Sequence, residues 1–281
     1  MNRDQLLTWI QDYVQTSPRN QVMESEAISP EHIGLKFYDL PIMGVARAEE
    51  SLFLRLQEPQ AIGPHFLLPT QWLTNAKSVV SFFFPFTQQV KEANVREKFD
   101  VPAAQWLYAR IEGQMFLNKL GQDLLQYLKS QNIQAVVPAI DPRFWSHTLP
   151  QEEGQPAFTS NWSERHVAFI CALGTFGLSK GIITHLGMAG RLFSVITDLK
   201  LEPDVRPYTD IYEYCIRCGL CIKNCPAMAI SEQGKDHILC SAFLEETRKT
   251  YAPRYGCGKC QVSVPCESKI PTSLKKRRRK N

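Results

Sequence analysis

Apolar positions along the chain show two kinds of pattern, helical spacing and a continuous run. Residues 4–15 repeat apolar side chains at helical spacing, which predicts an amphipathic helix. Residues 102–130 keep this spacing over a longer stretch, and Pro102 suits the first turn of such a helix. Residues 78–85, SVVSFFFP, are β-branched and aromatic residues closed by proline. This run predicts a central strand that is covered on both faces.

The remaining segments are less regular and predict shorter elements. In chain order, they predict irregular structure at 41–69, a short strand at 134–140, a polar loop at 150–160, a helix that runs into a glycine turn at 162–180 and a hairpin at 181–199. Strands and helices mix without a clean βαβ repeat. The pattern therefore predicts an α+β sheet domain over residues 1–205.

Length and composition are those of a soluble globular protein. The 281 residues allow one large domain and a smaller one, and the chain is 44% hydrophobic and 21% charged. The first residues, MNRDQLLTWIQDYVQ, contain acidic side chains and lack the apolar core of a signal peptide. The longest apolar stretch, 167–178, is too short to span a bilayer. We expect a cytoplasmic protein without a membrane span.

Cysteine spacing indicates the chemistry of the chain. Eight of the nine cysteines lie in its last quarter: Cys215, Cys218, Cys221, Cys225, Cys240, Cys257, Cys260 and Cys266. The first four read C-x2-C-x2-C-x3-C-P, the run that holds 4Fe–4S clusters in bacterial ferredoxins. Zinc favours paired C-x2-C knuckles, and disulfides need an oxidising compartment. The pattern therefore predicts a two-cluster 4Fe–4S module over residues 206–272.

The ligand sets follow from the crossed arrangement of two-cluster ferredoxins, in which the fourth cysteine of the run binds the other cluster. The first cluster then takes Cys215, Cys218, Cys221 and Cys266. The second takes Cys225, Cys240, Cys257 and Cys260. Cys266 is the least regular ligand, since five residues separate it from Cys260 where ferredoxins have three. Cys171 lies in an apolar stretch and is expected to be a buried small hydrophobe.

Charge is concentrated in a basic tail at residues 273–281. The formal net charge of +4 counts cysteines as neutral, and two oxidised clusters of about −2 each bring the total near zero. Six successive basic residues, KKRRRK, stand near the end of the tail. A solvated end is one interpretation, and an anionic partner, RNA or an acidic electron-donor protein, is the other. The tail lacks aromatic residues for base stacking, so a nucleic acid is not favoured.

The segment 162–180, WSERHVAFICALGTFGLSK, is the second informative feature. It lacks a G-x-G-x-x-G fingerprint and no strand leads into it. Gly174 and Gly177 allow the backbone to approach another group closely, and Thr175, Ser179 and Thr184 offer hydroxyls beside that approach. A tight turn without a ligand remains an equal interpretation.

This segment reads E-R-x-x-A-x-x-x-x-L-G-x-x-G from Glu164 to Gly177 and precedes the eight cysteines, with Cys240 alone between the two blocks. With these motifs the chain resembles, over residues 75–271, the epoxyqueuosine reductases and, more distantly, the reductive dehalogenases. The resemblance implies a cobalamin-binding core of nitroreductase-like fold, followed by a C-terminal two-cluster ferredoxin-like module. It implies that electrons pass through both clusters to base-off cobalamin, which reduces a substrate. The implied cofactor-binding residues are Gly174, Thr175, Phe176, Gly177, Ser179, Thr184 and Arg191.

The resemblance also implies an acidic proton donor shortly before the Glu164–Arg165 pair. A gap-free alignment places that position at Phe158, whereas an alignment anchored on the preceding strand selects Asp141. Asp141 precedes a proline, and Asp-Pro is also a common turn. His166 and His147 are alternative donors because histidine titrates near neutrality.

Epoxyqueuosine reductases continue past the second cluster into helical repeats that help to hold tRNA, whereas fifteen residues follow Cys266 here. We therefore expect a small-molecule or corrinoid substrate rather than tRNA, and a ferredoxin- or flavodoxin-type electron donor. The alternative is a non-catalytic ferredoxin-type electron-transfer protein that serves a corrinoid protein or another redox partner.

Overall fold

The computed structural model of the chain describes residues 1–148 and 158–272. The α-helices are α1 (Arg3–Thr16), α2 (Ser51–Arg55), α3 (Pro69–Trp72), α4 (Gln88–Arg96), α5 (Ala104–Ser130), α6 (Glu164–Ile170), α7 (Leu220–Lys223) and α8 (His237–Tyr251). The strands are β1 (Ile42–Arg47), β2 (Ser78–Pro85), β3 (Ala135–Val136), β4 (Ser146–Thr148), β5 (Phe158–Ser160), β6 (Gly174–Phe176), β7 (Ile182–Thr184), β8 (Gly190–Thr197), β9 (Ile230–Ser231) and β10 (Gly234–Lys235). Short 3₁₀ turns occupy Glu24–Glu26, Pro30–His32, Pro138–Ile140 and Lys259–Gln261.

An antiparallel sheet in the order β1-β2-β8-β3 forms the centre of the molecule. Strand β2 pairs with β1 on one edge and with β8 along its whole length on the other. All eight residues of β2 are buried. The prediction of a central strand covered on both faces is therefore confirmed.

Apolar layers cover both faces of this sheet. Val80, Phe82 and Phe84 of β2 face the layer that contains α1 and α5. Val79 faces the opposite layer, where Trp162 packs with α6 and the segment 48–76. Because side chains of a strand alternate between faces, one continuous apolar run supplies both cores.

The two predicted amphipathic helices are present. Helix α1 begins with a capping box between Asn2 and Gln5, and it buries Leu6 and Ile10 against the sheet. Helix α5 extends from Ala104 to Ser130, so Pro102 precedes the helix instead of lying in its first turn.

The prediction of irregular structure at 41–69 was wrong in part, because this segment contains the edge strand β1 and helix α2. Gly44 breaks the apolar pattern of β1, yet a Cβ there would lie 2.0 Å from the carbonyl oxygen of Cys171. The glycine is therefore required by the close approach of a neighbouring segment, which the sequence pattern does not show.

Strand boundaries also differ from prediction farther along the chain. The strand expected at 134–140 is confined to Ala135–Val136 and is followed by a 3₁₀ turn. The loop expected at 150–160 ends in β5, and its residues 150–157 lie outside the described residues. The helix expected at 162–180 ends at Ile170, and β6 follows.

The hairpin predicted at 181–199 was wrong in its pairing. Strand β7 pairs with the preceding strand β6, whereas β8 pairs with β2 and β3 in the central sheet. Gly190 permits this because a Cβ at that position would lie 2.3 Å from the carbonyl oxygen of Phe84. Among the described residues, no helix is long and apolar enough to cross a membrane.

Candidate functional site

One cavity brings together the four cysteines predicted for the first cluster. Its walls contain Cys215, Cys218, Cys221 and Cys266. Burial raises the pKa of Cys266 to about 12, and the neighbouring thiols of Cys215, Cys221 and Cys218 raise it further. Such thiols oppose each other's ionisation unless a cation compensates the charge. The irregular Cys266 therefore joins the group to which the crossed arrangement assigns it.

A second cavity, of about 380 Å³, brings together the other four cysteines. Its walls contain Cys225, Cys240, Cys257 and Cys260. Burial raises the pKa of Cys257 to about 12, with further contributions from Cys260, Cys240 and Cys225. Cys260 also raises the pKa of Cys221, so the two groups are neighbours. No three His, Cys, Asp or Glu side chains in residues 1–148 and 158–272 are arranged around a single metal ion.

The two cysteine blocks share one local geometry. Gly219 follows Cys218 with φ of 74°, and Gly258 follows Cys257 with φ of 71°. Each glycine is the N-cap of a short helical turn that carries the next cysteine, Cys221 or Cys260. The left-handed conformation favours glycine, and it aims two cysteines of each block into the same cavity.

Polar contacts hold the second cysteine segment against the first part of the chain. Lys259 is buried, and its Nζ donates to the carbonyl oxygens of Asn94 (2.7 Å) and Glu97 (3.3 Å) at the end of α4. Asn94 Nδ2 donates to the carbonyl oxygen of Cys257 at 2.9 Å. Lysine at a helix C-terminus is also favoured by the helix dipole.

A buried ion pair strengthens this attachment. Arg254 Nη2 lies 2.5 Å from Glu112 Oε1 on α5, and both side chains are about nine-tenths buried. The Arg254 guanidinium also stacks on the Tyr108 ring, with its Cζ 4.3 Å from the ring centre. Removing one partner of such a pair leaves an uncompensated buried charge. The pair therefore ties the segment before Cys257 to the long helix.

A cleft of about 690 Å³ lies beside the second cysteine cavity. Its walls are mainly apolar, including Leu56, Phe169 and Phe176. Phe158, Arg165 and His237 belong to the walls of both the cleft and the second cavity. A ligand in the cleft would therefore be separated from the second cysteine group by these shared side chains.

His166 lies in this cleft, as a candidate donor should. Its Nδ1 is 2.8 Å from Ser163 Oγ. Burial lowers the pKa of His166 to about 4, with Arg165 and Lys180 lowering it further. The imidazole is therefore neutral at pH 7, so it can donate or accept a hydrogen bond but holds no extra proton to release.

Tyr212 and Lys180 form a pair in the cleft that the sequence analysis missed. Lys180 Nζ donates a hydrogen bond to the Tyr212 hydroxyl, and both residues belong to the cleft wall. A nearby ammonium stabilises the phenolate that remains when a tyrosine gives up its proton. The residues are 32 positions apart, but the left-handed φ of 62° at Lys180 marks the turn that brings it there.

Asp141 is engaged elsewhere. Its Oδ1 and Oδ2 accept from Arg143 Nε and Nη2, each at 2.8 Å, and these bonds lower the pKa of Asp141. It is absent from the cavity walls described above. A carboxylate held ionised in this way is a poor proton donor. The role of Asp141 as the proton donor stays a prediction. His147, on β4, stacks on Trp145 with ring centres 4.9 Å apart.

The predicted cofactor-binding residues separate into three places. Phe176 lines the cleft, Gly177 and Ser179 line the first cysteine cavity, and Arg191 lines the second. The remaining three are satisfied within the protein. Thr175 Oγ1 accepts from the Tyr214 N–H, Thr184 Oγ1 donates to the Gly187 carbonyl oxygen, and a Cβ on Gly174 would lie 2.0 Å from the Ile183 carbonyl oxygen.

The close approach at Gly174 is thus made by strand β7 and not by a ligand. This favours the interpretation of the glycine segment as a structural turn. Its contribution to the site is to position Phe176 and Lys180 at the cleft and Ser179 at the first cysteine group.

Comparison with known proteins agrees with this cysteine chemistry. Residues 208–231, which contain the first four cysteines of the run, match the family model "4Fe-4S binding domain". The chain carries a 4Fe–4S binding domain. It is 24% identical over 247 residues to an epoxyqueuosine reductase of Listeria monocytogenes, covering 79% of this chain and 60% of the relative. It is 26% identical over 155 residues to the trichloroethene reductive dehalogenase of Dehalococcoides mccartyi, covering 43% of this chain and 28% of the relative.

The fold is also similar to that of a solved protein. A catabolic reductive dehalogenase aligns with a TM-score of 0.50 and 14% identity, covering 97% of this chain and 37% of that protein. The chain is therefore similar in sequence to iron–sulfur reductases of these two kinds, and it shares an α+β fold with the solved dehalogenase. It spans less than two thirds of the length of each of these relatives.

Proposed function

We propose that this chain is a reductase in which two 4Fe–4S clusters deliver electrons to a base-off cobalamin held in the cleft. The observation that carries this proposal is the shared wall between the cleft and the second cysteine cavity, formed by Phe158, Arg165 and His237. Electron transfer needs a short path between donor and acceptor, and the shared side chains make the cleft and the second cavity direct neighbours.

The donor sets fit two clusters. Four thiols line each cavity, and four thiolates are what one 4Fe–4S cluster requires. The first cluster would be held by Cys215, Cys218, Cys221 and Cys266, and the second by Cys225, Cys240, Cys257 and Cys260. In this proposal residues 206–272 form the cluster module and residues 1–205 a nitroreductase-like core, with 273–281 as a basic tail.

The cleft fits a large, mainly apolar cofactor. Leu56, Phe169 and Phe176 would pack against it and exclude water. Cobalamin, when bound, supplies a cobalt centre that exchanges electrons with the clusters and the substrate. The chain supplies the proton: the Tyr212 hydroxyl, hydrogen-bonded to Lys180, is the best-placed donor in the cleft.

The substrate class is proposed to be a small molecule, with a ferredoxin- or flavodoxin-type protein as electron donor. The names of the relatives offer two chemistries to test, a chlorinated alkene and an epoxide on a modified nucleoside. Both are reductions in which a carbon–heteroatom bond is broken and a proton can be taken up. A trichloroethene probe and an epoxyqueuosine-containing RNA stem loop therefore form the first substrate panel.

Cobalamin binding tests the proposal directly. Protein purified without oxygen and loaded with iron should shift the visible bands of added cobalamin toward the base-off form and retain the corrin through gel filtration. The expected binding follows from the apolar cleft beside the second cysteine group. Two loaded clusters without any retained corrin would contradict it and favour the ferredoxin-type electron carrier instead.

Tyr212→Phe separates binding from turnover. The variant keeps the aromatic ring in the cleft wall and loses the hydroxyl that Lys180 holds. It should therefore bind cobalamin as the wild type does, and turnover of an accepted substrate should fall by about 10²-fold or more. Unchanged turnover would exclude Tyr212 as the proton donor.

Replacing Cys266 by serine tests the ligand assignment. Because Cys266 lies in the first cavity, Cys266→Ser should disturb the first cluster and spare the second, lowering iron from about eight toward about four atoms per chain. Cys171→Ser is the matched control, since Cys171 is fully buried and its Sγ contacts the Val79 carbonyl oxygen, away from both groups. Iron analysis and electron paramagnetic resonance provide the measurement. Loss of the second cluster's signal instead would contradict the crossed arrangement.

A further inference from the structure

The two cysteine groups have unlike electrostatic surroundings. In the described ranges, the wall of the first cavity holds one charged side chain, Arg217, among cysteine, apolar and small residues. The wall of the second holds one carboxylate, that of Glu245, and five basic side chains: Arg110, Arg165, Arg191, Lys235 and Arg248. The second group therefore lies in a much more positive environment than the first.

Arg165 faces the second cysteine group. Among the described residues, no hydrogen bond contributes to the pKa of its guanidinium. Burial lowers its pKa, while Cys260 and Cys240 oppose this by favouring its charged form. Protein atoms surround the side chain, and the surface that it exposes faces the second cavity and the cleft. Its charge is therefore available to whatever the cavity holds.

Two further arginines present unsatisfied donors. The Nε–H groups of Arg110 and Arg191 are buried and have no acceptor among the described residues. Arg191 Nη2 is held by the Arg110 carbonyl oxygen at 2.9 Å, and the Arg110 guanidinium lies 4.4 Å above the Tyr255 ring. A buried N–H without an acceptor is costly, and cluster sulfur atoms accept such hydrogen bonds.

We propose that Arg165, assisted by Arg110 and Arg191, makes the cluster at the second cysteine group easier to reduce than the cluster at the first. This inference rests on the proposed function, in which each group holds one cluster. Reduction adds one electron and no proton, so the cluster becomes more negative by one charge. Nearby cations stabilise that charge, and they do so more strongly where protein replaces water.

The difference sets a direction for electron flow. With both clusters bound, a ferredoxin- or flavodoxin-type protein would give one electron to the first cluster, and the same electron would pass on to the second. Because Arg165 lines both the second cavity and the cleft, its charge would favour the electron on the cluster that adjoins the cleft. Arg165 is thus a positioning residue for the electron and not a group that reacts.

A redox titration of the iron-loaded protein tests the order of the two clusters. Titration with titanium(III) citrate, followed by electron paramagnetic resonance, should show that the second cluster is reduced first. The Cys266→Ser variant, which keeps the second cluster, assigns the signals. First reduction of the cluster at Cys215, Cys218 and Cys221 would overturn the proposal whatever any variant does.

Variants then test the role of Arg165. Arg165→Gln should lower the equilibrium constant for electron transfer from the first to the second cluster at least tenfold, which is a 59 mV change for one electron. Arg165→Lys should restore most of it, because it keeps the charge. Arg217→Gln is the matched control and should lower the potential of the first cluster alone. If the reduction potential of the second cluster is unchanged in Arg165→Gln, Arg165 does not make that cluster easier to reduce.

The outcome also separates this inference from the proposed function. Iron near four atoms per chain in the wild type, or a single cluster signal, would remove the two-cluster assignment itself. Two clusters reduced in the opposite order would leave that assignment standing and overturn the inference. The readout is a potential, so it needs neither cobalamin nor a substrate.

Discussion

Gly258→Ala is expected to cost the protein its second cluster. Gly258 has a φ of 71°, and a Cβ there would lie 1.9 Å from Trp106 Cε2 and 2.3 Å from Trp106 Nε1. Trp106 cannot give way easily, since it is buried on α5 and packs on Phe86 with ring centres 4.9 Å apart. The segment that carries Cys257 and Cys260 must move instead, which displaces two of the four thiols in the second cavity.

The expected destabilisation of this segment combines two effects. Left-handed backbone costs a non-glycine residue about 1–2 kcal/mol, and overpacking against an immobile ring adds about 1–3 kcal/mol or more. We therefore expect iron content to fall from about eight toward about four atoms per chain. The signal of the second cluster should be lost from the electron paramagnetic resonance spectrum of the reduced protein.

Gly219→Ala is the matched control. Gly219 holds the equivalent place in the first cysteine block and has a φ of 74°, but nothing lies within 4 Å of a Cβ at that position. Its substitution carries the backbone cost alone, so both clusters should load. Equal iron loss in the two variants would show that backbone conformation, and not contact with Trp106, decides whether the second cluster forms.

The cysteine grouping could be predicted because ligand order is a property of the chain itself. The run from Cys215 to Cys225 fixes three thiols on one loop and turns the fourth away. Spacing alone does not specify the position of Cys266, since five residues separate it from Cys260. What brings it to the first group is tertiary structure: the N–H of Met188 donates to the Cys266 carbonyl oxygen at 2.9 Å.

Elements with a strong local apolar pattern were also predictable, whereas strands whose position depends on pairing with another strand were not. Strand β2 and helix α5 carry long apolar patterns that specify a buried strand and a long helix, respectively. Strand β1 is short and contains Gly44, so its extended conformation depends on pairing with β2. Chain order favours pairing between neighbouring segments and so predicts β8 as half of a hairpin, but its eight residues pair in register with β2.

The cleft could not be predicted from the sequence, because it too depends on contacts between distant segments. Its polar residues come from α2 and the segment after it, from β5, α6 and α8, from the turn after β6 and from the segment before the first cysteine, which meet only in the fold. Lys180 and Tyr212 have no spacing that relates them. The basic residues at the second cavity likewise come from α5, α6, β8, β10 and α8. Their positive charges are brought together only when these elements pack against each other.

Glu164, in the motif that also contains Arg165, has a different role from its neighbour. Its Oε1 accepts from the Ser194 hydroxyl at 3.0 Å, and Ser194 Oγ in turn accepts from the Trp162 indole N–H at 2.9 Å. Its Oε2 is buried without a partner among the described residues. Burial raises the pKa of Glu164 to about 7, against smaller lowering by Ser194 and Trp162. The carboxyl therefore takes up a proton well above its usual range.

Glu164→Gln should change how stability depends on pH. Below about pH 4.5 the carboxyl is protonated in both folded and unfolded chains, so its burial as the neutral acid carries no ionisation cost. As the pH rises from about 4.5 to about 7, the unfolded chain loses the proton first and the folded state becomes less stable. The loss is complete above about pH 7 and amounts to about 3 kcal/mol at most.

Glutamine stays neutral and keeps the shape of the side chain, so the variant should escape this loss. Thermal unfolding of the iron-loaded protein without oxygen should give similar Tm values for variant and wild type at pH 5. At pH 8 the variant should unfold several degrees higher. Glu49→Gln, at an exposed position, is the control and should leave Tm unchanged at both pH values. A Glu164→Gln difference that is the same at pH 5 and pH 8 would mean that the carboxyl does not titrate in this range, and its hydrogen bond to Ser194 alone would then account for its place at the start of α6.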